Sequence, residues 1–130
     1  MSRPLSAEDA AALAQHFKAK PSKYRNVKTV VDGITFASRK EAKRYGELKL
    51  LEKAGLISGL QWQYRFSLDV NRVHVCDYVA DFIYRDHSEA SPVGTFQGFT
   101  VEDVKGKRTR EYITKRNLMQ ACHGVIILET

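Results

Sequence analysis

The sequence predicts a mixed α/β fold, with a mixed, mostly antiparallel central sheet flanked by helices and a short helix at the N-terminus. Three observations predict it. The chain has 130 residues, the size of one ordinary domain. Two segments carry apolar residues at helical spacing between a capping residue and a glycine. The remaining apolar segments have the composition of strands, so the order is helix, long strand, strand, strand, helix, strand.

The N-terminal part, residues 1–21, is predicted to be a helical appendage to a main domain of residues 22–130. Its helix is predicted over residues 6–18, because Ser6 is a favourable N-cap and Glu8 and Asp9 suit a first turn. After a basic connector, residues 28–36 are predicted to form a small hairpin. Asp32-Gly33 provides its two-residue turn.

The clearest helix is predicted over residues 39–54. Ser38 is its N-cap and Glu41 stands three residues further on, which is the spacing of a capping box. Gly55 ends this helix. A second main-domain helix is predicted from the N-cap Thr109 to about residue 123, with Gly124 following it.

Strands are predicted over residues 60–70, 74–85, 96–105 and 125–128, with a turn at Asn71-Arg72 and a polar loop over residues 86–95. Strict alternation along 74–85 gives the strand two faces. One face carries Cys76, Tyr78, Ala80, Phe82 and Tyr84; the other carries Val75, Asp77, Val79, Asp81 and Ile83.

Charge and composition narrow the class of protein. The net charge is +6 and the pI about 9.4, and residues 18–53 hold eleven Lys or Arg against four acids. A polyanion is therefore an expected partner. No apolar run approaches the roughly 20 residues that cross a bilayer, so no membrane partner is expected. Cys76 and Cys122 do not make a disulfide framework, which favours a reducing cytoplasm.

Three charged residues stand where a strand core would otherwise be apolar. Asp81 is a lone carboxylate within an apolar strand, and Asp103 and Lys105 point to one face of the strand that follows. If the two strands pair as antiparallel neighbours, Asp81 lies beside Asp103. Two adjacent carboxylates repel each other unless they are protonated or bridged by a cation. Mg²⁺, with Mn²⁺ as a substitute, suits these oxygen ligands, and the Val104 carbonyl is an additional candidate ligand.

Asp81 followed by Asp103-Val104-Lys105 resembles the D…(D/E)-x-K core of the PD-(D/E)xK nuclease superfamily. The segment from Ser38 to Tyr45 resembles the acidic-helix motif of that superfamily, and residues 78–82 and 101–106 resemble motifs of a small phage-encoded family within it. The resemblance covers roughly residues 22–128. Ala80 stands where the superfamily has Pro, and Asp103 where Glu is commoner.

The resemblance implies a restriction-endonuclease-like α-β-β-β-α-β core that hydrolyses DNA phosphodiesters with a divalent metal. Glu41, Asp81 and Asp103 would hold the metal, and Lys105 would act on the attacking water. Endonuclease I-type Holliday-junction resolvases are similar in size and motif order. This similarity implies a homodimer that cuts branched DNA in phage recombination, in the cytoplasm of a bacterial host.

Two other functions stay open. The protein is alternatively a nicking or restriction-like nuclease acting on duplex DNA, or a non-catalytic DNA-binding module with a nuclease fold. In each case, basic residues around the candidate site are expected to contact DNA phosphates. The candidates are Lys23, Tyr24, Arg25, Lys40, Lys43, Arg44, Lys107, Arg108, Arg110 and Lys115.

Structural roles compete with these functional ones. Glu41 can cap its helix instead of binding metal. Glu102 points to the face opposite Asp103, and we predict that it is a structural acid. His74, Cys76, Cys122 and His123 contain zinc-type donors, but their spacing is not that of a known zinc finger, so packing and helix-end roles are expected for them.

Overall fold

The structure is a computed structural model that describes residues 6–16, 27–88, 94–105 and 107–130. Within these residues it is a mixed α/β fold with three helices and a mixed sheet, which confirms the predicted fold class at that level. The elements are α1 (Ala7–His16), β1 (Thr29–Val31), β2 (Ile34–Phe36), α2 (Arg39–Lys53), β3 (Ile57–Val70), β4 (Val73–Asp86), β5 (Thr100–Asp103), α3 (Arg110–His123) and β6 (Leu128–Glu129).

The main sheet has four strands in the order β3-β4-β5-β6. The first three are antiparallel neighbours, and β6 pairs with β5 in parallel. Helix α3 makes the crossover that a parallel pair needs. The hairpin β1–β2 forms a separate two-stranded sheet. From α2 to β6, the elements therefore follow the predicted order of helix, three strands, helix and strand.

Two apolar clusters fill the space on the two sides of the sheet. Tyr45 and Leu48 of α2 pack with Phe82 of β4 in one cluster. Met119 of α3 packs with Val101 of β5 in the other, which also contains Ala10 of α1. Because both faces are covered where β4 meets β5, residues 82–84 are all buried. The charged groups on these two strands consequently lie in a region of low water access.

The predicted helix ends and turns are confirmed. Ser38 accepts a hydrogen bond from the Glu41 amide (3.2 Å), and Thr109 accepts one from the Tyr112 amide (3.1 Å). Gly124 has a left-handed backbone (φ 67°), as a residue at this helix end requires. Asp32-Gly33 and Asn71-Arg72 all have positive φ, which is the backbone of type I′ hairpin turns.

Two predicted strands are shorter than expected. Strand β5 begins at Thr100, because residues 96–99 form a tight turn in which the backbones of Phe96 and Phe99 exchange hydrogen bonds. Gln97 and Gly98 have left-handed backbones in this turn. Strand β6 contains only Leu128–Glu129, whereas an apolar run from residue 125 predicted a longer strand. Apolar composition there reflects burial beside α3 and not pairing.

The predicted assignment of the β4 side chains to two faces is also wrong in part. Tyr78 and Ala80 pack in the same cluster as Ile83, whereas Phe82 and Tyr84 pack in the other cluster. The change occurs opposite Gln63 of β3, whose backbone is left-handed (φ 52°) and which has no paired residue, although the register is the same on both sides of it. Simple alternation does not hold through such an irregularity.

Helix α1 lies against the main domain, because Ala10 is fully buried in the same cluster as the α3 side chains. The connector with Lys23, Tyr24 and Arg25, and part of the predicted 86–95 loop, lie outside the described residues. Within the described part of the chain, no helix is long and apolar enough to span a membrane.

Candidate active site

The centre of the candidate site is a pair of carboxyl groups on neighbouring strands. Phe82 pairs with Glu102 in the antiparallel register of β4 and β5, which places Asp81 and Asp103 side by side. The two side chains are therefore direct cross-strand neighbours. Asp103 is almost completely buried, with 2% of its surface exposed. The sequence-based expectation that these two acids meet is confirmed.

The surrounding polar groups hold the pair in place. The Val104 amide donates a hydrogen bond to Asp81 Oδ2 (2.8 Å). The Tyr78 hydroxyl donates a hydrogen bond to Asp103 Oδ2, and Lys105 Nζ lies 3.2 Å from Asp103 Oδ1. Each contact comes from the backbone or a neighbouring strand residue, so the geometry of the pair is built into the sheet.

Burial and like charge raise the pKa of Asp81 well above its ordinary value. Loss of water is the largest cause, followed by the hydrogen bond and negative charge of Asp103 and the charge of Glu41; the Val104 amide opposes the shift. Burial and Asp103 likewise raise the pKa of Tyr78, so its hydroxyl stays protonated and can donate this hydrogen bond. The site thus concentrates negative charge where water does not screen it, an environment that a bound cation would relieve.

Glu41 brings a third carboxylate from the first turn of α2. Burial and the charge of Asp103 raise its pKa, while the charge of Lys105 lowers it. Its Oε2 accepts a hydrogen bond from the Ala37 amide (3.3 Å). The capping box is therefore shifted, because Glu41 bonds the residue before Ser38 and not Ser38 itself. Glu41 and Asp81 line the same open cleft, whose volume is about 490 Å³.

The chemistry of these donors fits a hard divalent cation, since carboxylate oxygens are what Mg²⁺ and Mn²⁺ prefer. Among the described residues, however, no three His, Cys, Asp or Glu side chains already form a metal-ligating group. Instead, Asp81 and Glu41 each accept a hydrogen bond from a backbone amide, and Asp103 accepts one from Tyr78. Metal binding by these residues and by the Val104 carbonyl stays a prediction, and it requires the carboxyl groups to exchange these bonds for the ion.

Lys105 lies between a carboxylate and an aromatic ring. Its Nζ is 3.2 Å from Asp103 Oδ1 and 4.1 Å from the centroid of the Tyr112 ring. A cation over a ring face gains favourable energy, and this contact limits the motion of a long side chain. The Lys105 side chain keeps 24% of its surface exposed, so the ammonium group reaches both the acids and solvent.

Glu102 has the structural role that the sequence predicts. It is fully buried and receives two hydrogen bonds from Arg44, each 2.8 Å, and one from Tyr84 (2.7 Å). Its two-pronged ion pair with Arg44 connects α2 to β5. Arg44 also contacts Glu47 (3.0 Å), so this predicted DNA-binding residue is engaged within the fold.

The other predicted DNA-binding residues fall into two groups. Lys40, Lys107 and Arg108 line a pocket of about 430 Å³ together with Lys105. Lys40 donates to the Lys105 carbonyl (3.0 Å), and Arg108 pairs with Glu129 (2.7 Å). The second group does not line this pocket: Lys43 and Arg110 are exposed, and Lys115 is half-buried. Lys23, Tyr24 and Arg25 lie outside the described residues.

His74 and His123, two of the predicted zinc-type donors, form contacts near the turn of the β3–β4 hairpin. His74 Nδ1 lies 2.7 Å from Asp69 and 2.9 Å from Ser67, and His123 Nε2 lies 2.9 Å from the Ser67 carbonyl. Cys122 donates to the Asp69 carbonyl. These donors are engaged in side-chain and backbone hydrogen bonds.

Sequence reasoning missed the role of Tyr78 beside Asp103, because alternation placed it on the face opposite Asp81. It also missed Lys28 and Arg65, which line the acid cleft from β1–β2 and β3. Neither position carries a motif. The one indication in the sequence was that these basic residues flank segments predicted to form strands. That position does not show which side of a sheet a residue occupies.

The fold and site together define a mixed α/β domain with a buried carboxylate pair and an adjacent lysine. Residues 21–127 match the family described as "Protein of unknown function (DUF1064)", and the chain belongs to this family. Neither the curated proteins nor the solved structures contain a match to the chain.

Proposed function

We propose that this protein is a metal-dependent DNA endonuclease with a restriction-endonuclease-like PD-(D/E)xK core. The observation that carries the proposal is the cross-strand placement of Asp81 beside Asp103, with Lys105 Nζ 3.2 Å from Asp103. A protein that only binds DNA gains nothing from acids held beside phosphates, because like charges repel. The order of α2, β3, β4, β5, α3 and β6 also supports this core.

Glu41, Asp81 and Asp103 would hold Mg²⁺, with the Val104 carbonyl as an additional ligand. When bound, the ion supplies Lewis acidity toward the phosphodiester. The chain provides the positioning: the Val104 amide fixes Asp81, and Tyr78 fixes Asp103. Lys105 orients the attacking water and stabilises the negative charge that develops on the phosphoryl group. Hydrolysis leaves a 5′-phosphate and a 3′-hydroxyl.

The basic pocket next to the acids supports nucleic acid as the substrate, because four cationic side chains, those of Lys40, Lys105, Lys107 and Arg108, line it. Such clusters neutralise backbone phosphates. The finer substrate class follows from the resemblance: branched DNA, with the Holliday junction as the main candidate, cut by a homodimer that makes paired nicks. A phage-encoded protein acting in the cytoplasm of a bacterial host is part of the same proposal.

The test is a cleavage assay with junction, flap, single-stranded and linear duplex DNA over a Mg²⁺ titration. Wild-type protein should cut in a Mg²⁺-dependent manner and prefer the junction, and Asp81→Asn should not cut. Asp86→Asn is the matched control, since Asp86 is a half-buried aspartate at the last position of the same strand. Equal cutting of linear duplex would favour a nicking or restriction-like enzyme. DNA binding without cleavage under all conditions would refute the nuclease proposal.

A further inference from the structure

The acid cleft has a second basic wall, formed by Lys28 and Arg65, which do not line the Lys105 pocket. This cleft also contains Glu41 and Asp81. Lys28 stands immediately before β1, and Arg65 of β3 pairs with Val79, two residues from Asp81. Both side chains belong to exposed residues. The acids therefore share their cleft with two exposed cations.

A specific contact fixes this wall in position. Gln63 of β3 lies between the residues that pair with Ala80 and Phe82, so it stands opposite Asp81. Its side-chain amide donates to the Thr35 carbonyl of β2 (2.8 Å). This bond ties the separate hairpin to the main sheet next to the acid. Gln63 has a left-handed backbone (φ 52°), an unfavourable conformation for a residue other than glycine.

The cations on this wall are available to a ligand. Arg65 lies 2.8 Å from Asp77, but 68% of the Arg65 side chain is exposed, and an exposed ion pair contributes little stability. A phosphate can therefore compete for the guanidinium group at small cost. Val79 supplies an apolar surface on the same wall.

The acids lie at the junction of two basic pockets. Glu41 and Asp81 border the cleft with Lys28 and Arg65. Lys105, in contact with Asp103, borders the other pocket with Lys107 and Arg108. Asp81 and Asp103 are cross-strand neighbours, so the groups that would act on a phosphodiester adjoin both pockets.

We infer that the two pockets bind the two phosphates that flank the phosphate under attack on one DNA strand. This inference rests on the proposed function and assigns Lys28 and Arg65 as backbone-binding residues. It predicts an enzyme that acts on internal bonds, because a strand end fills only one of the two pockets. The cations of each wall make their own contribution to affinity.

The first test measures DNA binding without cleavage, by fluorescence anisotropy of a labelled duplex in Ca²⁺. Lys28→Gln/Arg65→Gln should bind roughly tenfold more weakly than wild type, and its salt dependence should fall by roughly one to two phosphate equivalents. Lys49→Gln/Lys53→Gln removes the same charge at the far end of α2 and is the matched control. Circular dichroism checks that each variant is folded.

The second test uses substrates in which one phosphate beside the cleavage site is a neutral methylphosphonate. Neutralising the phosphate on one side should slow wild-type cleavage but have no further effect in Lys28→Gln/Arg65→Gln. Neutralising the phosphate on the other side should slow wild-type cleavage but have no further effect in Lys107→Gln/Arg108→Gln. The inference is overturned if both substitutions slow Lys28→Gln/Arg65→Gln as much as wild type.

The two proposals fail separately. If wild-type protein cuts no DNA, the nuclease proposal fails. The binding test then decides whether Lys28 and Arg65 bind the DNA backbone. Loss of binding in Lys28→Gln/Arg65→Gln beyond the Lys49→Gln/Lys53→Gln control supports the second wall. Equal binding by these two variants overturns it, whether or not the protein cuts DNA.

Discussion

Asp81 and Asp103 are cross-strand neighbours on β4 and β5, and the Val104 amide that follows Asp103 donates to Asp81 at 2.8 Å. The chain thus uses its own backbone to hold two acids together in a buried place. Such an arrangement opposes folding unless a proton or a cation offsets the repulsion. This cost indicates a functional purpose for the pair and leads to the following predictions.

A divalent cation should stabilise the protein through the acid pair. At an ion concentration a hundredfold above Kd, Mg²⁺ or Mn²⁺ should add about 2.7 kcal/mol to the free energy of unfolding. Thermal melts with and without EDTA measure this effect. Asp81→Asn should show little response to either ion, whereas Asp86→Asn should respond like wild type. A wild-type melting temperature unchanged by both ions would count against a metal site.

Stability without metal should fall as pH rises. Because the pKa of Asp81 is raised in the folded state, the folded protein holds this proton more tightly than the unfolded chain does. The contribution of Asp81 to stability is therefore greatest at acid pH and decreases from about pH 4 toward about pH 9. Urea unfolding in EDTA measures the slope. Asp81→Asn should be flatter over this range, and parallel curves would be the contrary result.

Substitutions of Glu41 and Ser38 should distinguish a role in catalysis from a role in helix capping. Glu41→Gln keeps a hydrogen-bond acceptor for the Ala37 amide but removes a charged ligand, so cleavage should fall roughly a hundredfold or more while stability changes little. Ser38→Ala should lose about 1 kcal/mol of stability and keep its activity. Urea melts and initial cleavage rates distinguish the two. Full activity in Glu41→Gln would restrict Glu41 to a capping role.

Arg44 should stabilise the fold through Glu102. Arg44→Met leaves Glu102 buried without its ion-pair partner, which should cost roughly 3 kcal/mol or more. Arg44→Met/Glu102→Leu removes both charges and should recover much of that loss. Chemical denaturation of the two variants gives both values. An Arg44→Met protein as stable as wild type would show that the pair contributes little.

The position of Tyr112 should affect the activity of Lys105. Tyr112→Phe keeps the ring that lies 4.1 Å from Lys105 Nζ, and it should cut DNA at nearly the wild-type rate. Tyr112→Leu should lower kcat more than KM, because the lysine loses its fixed position. Lys105→Ala should fall roughly a hundredfold or more, since it removes the group itself. Equal rates for Tyr112→Phe and Tyr112→Leu would exclude a positioning role for the ring.

Local features of the fold could be read from the sequence because their causes are local. Ser38, Thr109 and Gly124 mark helix ends through their own side chains or backbone freedom, and Asp32-Gly33 sets a hairpin turn. The meeting of Asp81 and Asp103 could be predicted only on the condition that the two strands pair as antiparallel neighbours across the loop between them, which the structure shows.

Features that depend on distant packing could not be predicted. Tyr78 reaches Asp103 because β4 changes the side it presents near the irregularity at Gln63, and no residue pattern records this change. Arg44 reads as one more surface cation of a basic helix until β5 places Glu102 beside it. Lys28 and Arg65 likewise become neighbours of the acids only when the β1–β2 hairpin folds against β3.

The most direct measurement of the central claim is Mg²⁺-dependent cleavage of a four-way DNA junction by wild-type protein, Asp81→Asn and Asp86→Asn at equal concentration. The account predicts paired strand cuts by wild type and by Asp86→Asn, with none by Asp81→Asn although this variant remains folded. Cleavage by Asp81→Asn at the wild-type rate would contradict it. An absence of cleavage by wild type on every DNA substrate would contradict it as well.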